Sequence, residues 1–267
     1  MPSDNVAPVS ALLNRCPNHA PTPLIHANDL AVQAGVAEVW VKDERGRMGL
    51  GSFKALGAAY VIAREAEAGS LADRTFIAAS AGNHGLSVAM GAKVFGARAV
   101  IYLSETVPEA FAERLRDLGA EAVRAGQIYE QSMEAAAAAA EAEGWTLLSD
   151  SSWPGYTDPP LRVMEGYLQL VAEAAEQIPQ PPTHILLQAG VGGLAAAVAA
   201  YARKTWGDAP EVIIVEPEFA PALQASIAEG RVVDTEGPVS DMGRLDCKTP
   251  SMIALNGLAR DADFFVT

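Results

Sequence analysis

Val39-Trp40-Val41-Lys42-Asp43-Glu44-Arg45-Gly46-Arg47-Met48-Gly49-Leu50-Gly51-Ser52-Phe53-Lys54 joins a strand-like run, a charged glycine-rich turn and a lysine that begins an apolar helical stretch. Ala55, Leu56, Gly57, Ala58, Ala59 and Tyr60 follow that lysine, so a surface charge explains it poorly. An amine held at the start of a buried helix is well suited to covalent chemistry with carbonyl groups.

The strand–turn–helix order recurs along the chain. Strands are expected at Val39–Lys42, Thr75–Ala79, Ala99–Leu103, Glu121–Arg124, Thr146–Ser149, His184–Gln188, Glu211–Val215 and Asp263–Val266. Helices are expected at Lys54–Ala68, Gly85–Phe95, Glu109–Leu118, Tyr129–Ala142, Leu161–Gln177, Leu194–Trp206, Pro221–Ala228 and Ser251–Arg260. This alternation predicts an α/β fold, and the continuous apolar strands predict mostly parallel sheets flanked by helices. Gly69, Gly96, Gly119, Gly144 and Gly230 follow helical stretches, where a left-handed residue terminates the helix. The βα units near Thr75–Glu143 suggest a small βα domain at residues 71–146. Residues 1–70 and 147–267 would then form a larger, discontinuous domain.

The chain has 267 residues, half of them hydrophobic and 19% charged, and a net charge of −14. That charge argues against nucleic acid and anionic membrane as partners, which both attract basic surfaces. Cys16 and Cys247 are too few for a disulfide framework, no apolar run is long enough to span a bilayer, and Met1–Ser10 lacks the pattern of a signal peptide. A cytoplasmic protein is expected. The histidines and cysteines show no metal-ligand spacing.

Two further segments carry chemistry. Phe76-Ile77-Ala78-Ala79 runs into Ser80-Ala81-Gly82-Asn83-His84-Gly85, a small-residue turn ahead of a helix. Such a turn offers backbone N–H groups to an anion, and Asn83 can bond a ring hydroxyl or a carboxylate without adding charge. An ordinary strand–helix turn is the other reading. His184-Ile185-Leu186-Leu187-Gln188-Ala189 likewise feeds Gly190-Val191-Gly192-Gly193-Leu194-Ala195, a phosphate cradle at a helix start. Gly190-x-Gly192-x-x-Ala195 also fits a dinucleotide fingerprint, with Glu216 ending the next strand where that motif expects an acid. Lys54 separates the two. A dinucleotide fold has no use for Ser52-Phe53-Lys54 or for Ser80–Gly85, whereas pyridoxal 5'-phosphate (PLP) uses all three segments.

At these residues the chain resembles the fold-type II PLP enzymes, the tryptophan synthase β-like group. The resemblance runs from about Pro21 to Thr267 and is closest to the diaminopropionate ammonia-lyases. It rests on Lys42-Asp43-Glu44, Arg47, Gly49-Leu50 and Ser52–Gly57, and on Ser149-Asp150-Ser151-Ser152-Trp153-Pro154-Gly155-Tyr156-Thr157, with support from Thr22-Pro23-Leu24 and Val215-Glu216-Pro217. It implies a two-domain PLP-dependent lyase, a homodimer, acting on a small amino acid by α,β-elimination of 2,3-diaminopropionate to pyruvate and ammonia. Lys54 would hold PLP as a Schiff base and exchange a proton at Cα. Asn83 would contact the cofactor's 3-hydroxyl, and Gly190, Val191, Gly192, Gly193 and Leu194 would wrap its phosphate. Asp150 would assist proton abstraction, or else cap the following turn. Ser80, Ala81, Gly82 and His84 would bind substrate, although a histidine there also serves structure.

The chain departs from the pattern twice. Family members often carry aspartate where this chain has Ala81, a residue tied to the D-isomer, and Ser80–His84 is similar to the dehydratases. A threonine/serine dehydratase is therefore the alternative. The chain also ends at Thr267 within an expected strand, where family members continue with a group facing the pyridine nitrogen. That predicts a C-terminally truncated form, with a non-catalytic protein as a further alternative. Arg47 is read either as a contact to substrate or cofactor or as a solvated loop residue. Trp153 and Tyr156 are read as lining a pocket or packing a core, and Met242-Gly243-Arg244 as a loop near the cofactor ring or an ordinary loop.

Overall fold

A computed structural model describes residues 1–267. In chain order the elements are α1 (Ala7–Leu13), β1 (Leu24–His26), α2 (Asn28–Ala34), β2 (Trp40–Lys42), a 3-10 segment (Glu44–Gly49), α3 (Lys54–Glu67), β3 (Thr75–Ala79), α4 (Asn83–Val94), β4 (Arg98–Leu103) and α5 (Glu109–Asp117). They continue with β5 (Glu121–Arg124), α6 (Tyr129–Glu143), β6 (Thr146–Leu147), α7 (Asp158–Gln177), β7 (His184–Gln188), α8 (Gly193–Trp206), β8 (Glu211–Val215), α9 (Ala222–Glu229), α10 (Met252–Asp261) and β9 (Phe264–Val266).

The expected α/β alternation is present throughout, with most boundaries within one or two residues, the range over which helix ends fray. Strands β5-β4-β3-β6 form one parallel sheet and β7-β8-β9 another. β1 and β2 pair antiparallel, with His26 stacked on Trp40 at 4.4 Å. The elements α1, β1 and α2 escape the sequence reading because each spans seven residues or fewer, short of the window over which periodicity becomes legible. α1 nevertheless buries Val9, Leu12 and Leu13 at helical spacing. Gly96, Gly119, Gly144 and Gly230 adopt the expected left-handed conformation, but Gly69 does not: its φ is 152°, and α3 ends instead in a right-handed turn at Ala68.

One apolar core runs from Phe76 and Ile101 beneath the first sheet, through Leu56, Tyr167 and Met164, to Val212 and Ile214 beneath the second. Helices α3, α7, α8 and α10 pack in series through it. The α3–α7 crossing is a backbone contact. A Cβ on Gly166 would stand 2.6 Å from the Leu56 carbonyl oxygen and 2.8 Å from Gly57 Cα. A Cβ on Gly57 would stand 2.8 Å from both Tyr167 Cε1 and Val163 Cγ1.

A buried charge cluster fastens the segment ahead of Lys54 to α7. Arg47 is fully buried and bidentate to two carboxylates: its Nε and Nη2 donate to Glu44 at 2.8 and 2.7 Å, its Nη1 and Nη2 to Glu173 at 2.9 and 2.6 Å. It also donates to the Ala20 carbonyl and Thr22 Oγ1, both at 3.0 Å, and Lys42 Nζ donates to Glu173 at 2.9 Å. Two cations thus meet two anions with nearly every donor used, the condition under which a buried ion pair is tolerable. Both readings of Arg47 are corrected. It is neither solvated nor directed at a ligand, because Glu44 and Glu173 occupy its guanidinium. Next to it, Met48 takes a positive φ of 48°, an uncommon conformation for a side chain of its size.

Two expectations follow. Gly166→Ala forces α3 and α7 apart and lowers the unfolding free energy by about 3 kcal/mol, measured by urea titration. A loss below about 0.5 kcal/mol, as for a surface site, refutes the tight crossing. Burial raises the Glu173 carboxyl, but bonds from Arg47 and Lys42 reverse this and bring it to about 2. A depressed carboxyl adds stability that is full above the unfolded carboxylate range and is lost as pH falls through the folded value. Unfolding free energy therefore declines from about pH 5 toward pH 2, and an equal slope in Glu173→Gln contradicts this assignment.

Candidate active site

Lys54 is the first residue of α3, preceded by Phe53 in a turn that Ser52 helps to close. Its amine forms an ion pair with Asp150, contributed by the turn after β6, and the two side chains are 23% and 17% exposed. The pair is thus reachable from solvent yet largely enclosed. Burial works against the Lys54 ammonium, but the Asp150 carboxylate overcomes it and holds the amine well above the usual lysine range. Burial likewise disfavours the Asp150 carboxylate, and the charge of Lys54 reverses this and holds the carboxyl well below its usual range.

The turn carrying Asp150 is pinned on both sides. Tyr156 Oη donates to the Leu147 carbonyl at 2.8 Å and accepts from Ser149 N–H at 3.0 Å. Ser152 Oγ lies 2.7 Å from Ser251 Oγ, at the start of α10, and accepts from Ile253 N–H at 2.9 Å. Trp153 stacks on Tyr156 at 4.4 Å. Both are half-buried, and these contacts hold the turn's shape, a role outside the two readings of pocket lining and core packing. The Asp150 carboxylate bonds Lys54 and does not cap the following turn.

The Ser80–His84 turn lies beside this pair. Ser80 Oγ accepts from Gly82 and Gly85 N–H at 3.2 and 3.0 Å, so the hydroxyl shapes the turn that starts α4. Gly85 must lack a side chain, since a Cβ would stand 2.7 Å from the Ser80 carbonyl oxygen. Asn83 is half-buried at the first position of α4, and Ala81 and Gly82 precede it. His84 is buried, with Nε2 2.7 Å from the Leu148 carbonyl oxygen and no partner for Nδ1. A carbonyl only accepts, so the proton sits on Nε2. Arg244 reaches over the turn and donates to the Ala81 carbonyl at 2.7 Å, which brings the Met242–Arg244 loop to the site.

The glycine turn closes the other side. Gly192 has φ +94°, and Gly193 begins the 14-residue helix α8, whose first turn holds no acidic residue. A Cβ on Gly193 would lie 3.8 Å from both the Asp150 carbonyl oxygen and Tyr167 Cε2, so this turn abuts the groups around Lys54. A Cβ on Gly190 would stand 2.9 Å from Cys247 Sγ. Glu216 is spent elsewhere: it is buried and accepts from Leu223 and Gln224 N–H at 2.7 and 2.8 Å, at the start of α9. Burial raises its carboxyl, against those two bonds. The acid that a dinucleotide site needs for a ribose is therefore committed to a helix start.

Three residues of the site escaped the sequence reading. Tyr129, at the start of α6, is 47% exposed, and partial burial followed by the charge of Asp150 pushes its phenol up. Burial, followed by the Asp150 charge, raises the Cys247 thiol to about 11. Tyr167 on α7 is buried, with Lys54 Nζ 5.7 Å from its ring centre. No local motif marks any of them.

The sequence model of the family described as pyridoxal-phosphate dependent enzyme matches residues 16–267. The chain is 33% identical to the diaminopropionate ammonia-lyase of Salmonella typhimurium over 92% of its own length and 68% of that protein's. It is 31% identical to human L-serine dehydratase/L-threonine deaminase, over 90% of this chain and 70% of that protein. It superposes on the crystal structure of the Escherichia coli diaminopropionate ammonia-lyase in complex with D-serine with a TM-score of 0.90 and 32% identity, covering 98% of this chain and 72% of that one.

Removing the carboxylate at position 150 takes away the largest influence that opposes burial at the amine. Asp150→Asn is therefore expected to bring the Lys54 pKa down by about two units or more, since burial and an opposite charge act in opposite senses. The pH dependence of Lys54 acylation, read by peptide mapping, checks this, and an unchanged profile removes Asp150 as the controlling charge.

Proposed function

The chain belongs to the pyridoxal-phosphate dependent enzymes, and on that footing we propose that it is a carbon–nitrogen lyase converting 2,3-diaminopropionate and water to pyruvate and two molecules of ammonia. The observation that carries this reading is the meeting of Lys54 and Asp150 beside a glycine turn that opens α8.

The residues fit the cofactor. A dianionic phosphate suits the Gly190–Leu194 turn, where the backbone is bare at Gly190, Gly192 and Gly193 and the helix dipole favours negative charge. Asn83 would bond the ring hydroxyl, and Lys54 would be the amine to which the aldehyde attaches. Bound there, pyridoxal phosphate supplies an electron sink for negative charge developing at the substrate's Cα. Lys54, held in place by α3, would take the Cα proton as a base. Asp150 pairs with the β-ammonium group of diaminopropionate, orienting the leaving nitrogen. Ser80, Ala81, Gly82 and His84 frame the carboxylate end of the substrate. The larger unit, residues 1–70 and 147–267, would carry the cofactor, and residues 71–146 the smaller unit facing it. The proposal extends to a homodimer in the cytoplasm, where Cys16 and Cys247 stay as the free thiols seen here.

A β-hydroxyl substrate offers Asp150 no charged partner. The threonine/serine dehydratase reading draws on Ala81 and on the similarity to human L-serine dehydratase. Both are tested together. After loading with pyridoxal phosphate and borohydride reduction, the label is expected on Lys54. Diaminopropionate should release two ammonia per pyruvate, and Asp150→Asn should lose at least about tenfold more kcat/KM on diaminopropionate than on serine, the worth of one charge-assisted contact. An unlabelled Lys54 sinks the cofactor assignment, and equal losses on the two substrates sink the ammonium-specific role.

A further inference from the structure

Tyr167 presents a buried hydroxyl that makes no geometrically formed hydrogen bond, although the Lys54 amine is near enough to act on its phenol. The residue is 1% exposed and its Oη has no hydrogen-bond partner. Packing alone does not call for that oxygen, since phenylalanine fills the same space without leaving a buried polar atom unpaired. The ring is fixed from three sides. Phe53 meets it edge-on at 5.1 Å, Gly57 leaves room for Cε1, and Gly193 leaves room for Cε2. Lys54 Nζ lies 5.7 Å from the ring centre, with Asp150 on its other side.

Asp150 and Tyr167 favour opposite forms of the amine. A carboxylate only accepts hydrogen bonds, so it binds the ammonium. A phenol donates, and the uncharged amine has a lone pair that accepts. We infer that Tyr167 is a positioning residue for Lys54, its hydroxyl donating to the amine whenever that amine is uncharged and free. The inference rests on the reading of Lys54 as the base at Cα, since a base must spend part of each cycle in that form. No proton leaves Tyr167: the hydroxyl donates a hydrogen bond and keeps its hydrogen. Burial holds the phenol up at about 12, partly opposed by Lys54, so it remains a donor at neutral pH. The other titratable groups around Lys54 are Asp150 on the turn after β6 and Cys247 ahead of α10. His84 on α4 acts on Asp150, and Tyr129 on α6 faces Asp150, Cys247 and Lys54 itself.

Competitive acetylation with acetic anhydride across pH reads the Lys54 pKa directly in the full chain, with Lys42, Lys93, Lys204 and Lys248 as internal references. In an Asp150→Asn background, where the amine titrates in reach, Tyr167→Phe is expected to raise the Lys54 pKa by about half to one unit, the value of one hydrogen bond to the neutral form. Replacement of Tyr167 by 3-fluorotyrosine, a better donor of nearly the same shape, is expected to lower it, and it keeps the test open if the phenylalanine variant does not fold. In the loaded enzyme, Tyr167→Phe should move the ascending limb of the kcat–pH profile upward and reduce kcat more than it changes KM. A Lys54 pKa unmoved by both replacements overturns the inference. Failure of the lysine reading is separate, since it shows as a missing borohydride label at position 54. A label there with an unmoved pKa overturns only the role of Tyr167.

Discussion

Two bare backbones crossing at Gly57 and Gly166 hold this molecule together. Helices normally approach no closer than their side chains permit, about 8–10 Å between axes. Where glycine faces glycine, that limit is relaxed. The consequence is geometric: α7 is brought close enough to α3 that Tyr167 lies beside Lys54, while Glu173, almost two turns further along, reaches the segment that leads into α3. One helix thus fixes both the chain entering Lys54 and the wall behind its amine.

The charges divide into two groups with different chemistry. Around Arg47, two cations and two carboxylates are buried with their hydrogen bonds nearly complete, so the cluster has little left to offer a ligand. Such a cluster contributes modestly to net stability but severely penalises any arrangement that separates its members. It therefore acts as a register pin for residues 20–47. The Lys54–Asp150 pair differs, since it remains partly open and each partner has unused bonding capacity. An ammonium or a carboxylate from a ligand can compete for it.

With a net charge of −14, the chain as a whole repels anions. The site overcomes this through local placement. α4 and α8 follow parallel strands and begin at the Ser80–His84 and Gly190–Leu194 turns, and α3 begins at Lys54. Three helix starts, each with partial positive charge, meet beside one lysine. Parallel sheets place such starts at one edge, the usual position for ligands in α/β proteins.

Residues 75–103 and 184–215 announced their strands and helices in the sequence, because each signal lies within a few neighbouring residues. A continuous apolar run, a glycine turn and a helical period are local properties that the backbone obeys wherever the segment sits. Lys54, Ser80–Gly85 and Gly190–Leu194 were legible on the same ground. Distant partners decided the rest. Arg47 finds Glu173 across 126 positions and Lys54 finds Asp150 across 96. Glu216 looked like a ribose ligand until the start of α9 claimed it. Tyr129, Tyr167 and Cys247 carry no motif, because an aromatic or a thiol reads alike in a core and in a site. Covalent neighbours write secondary structure and turn chemistry. Which charge is buried, and which ring lies beside the amine, depends on contacts that exist only once the helices have crossed.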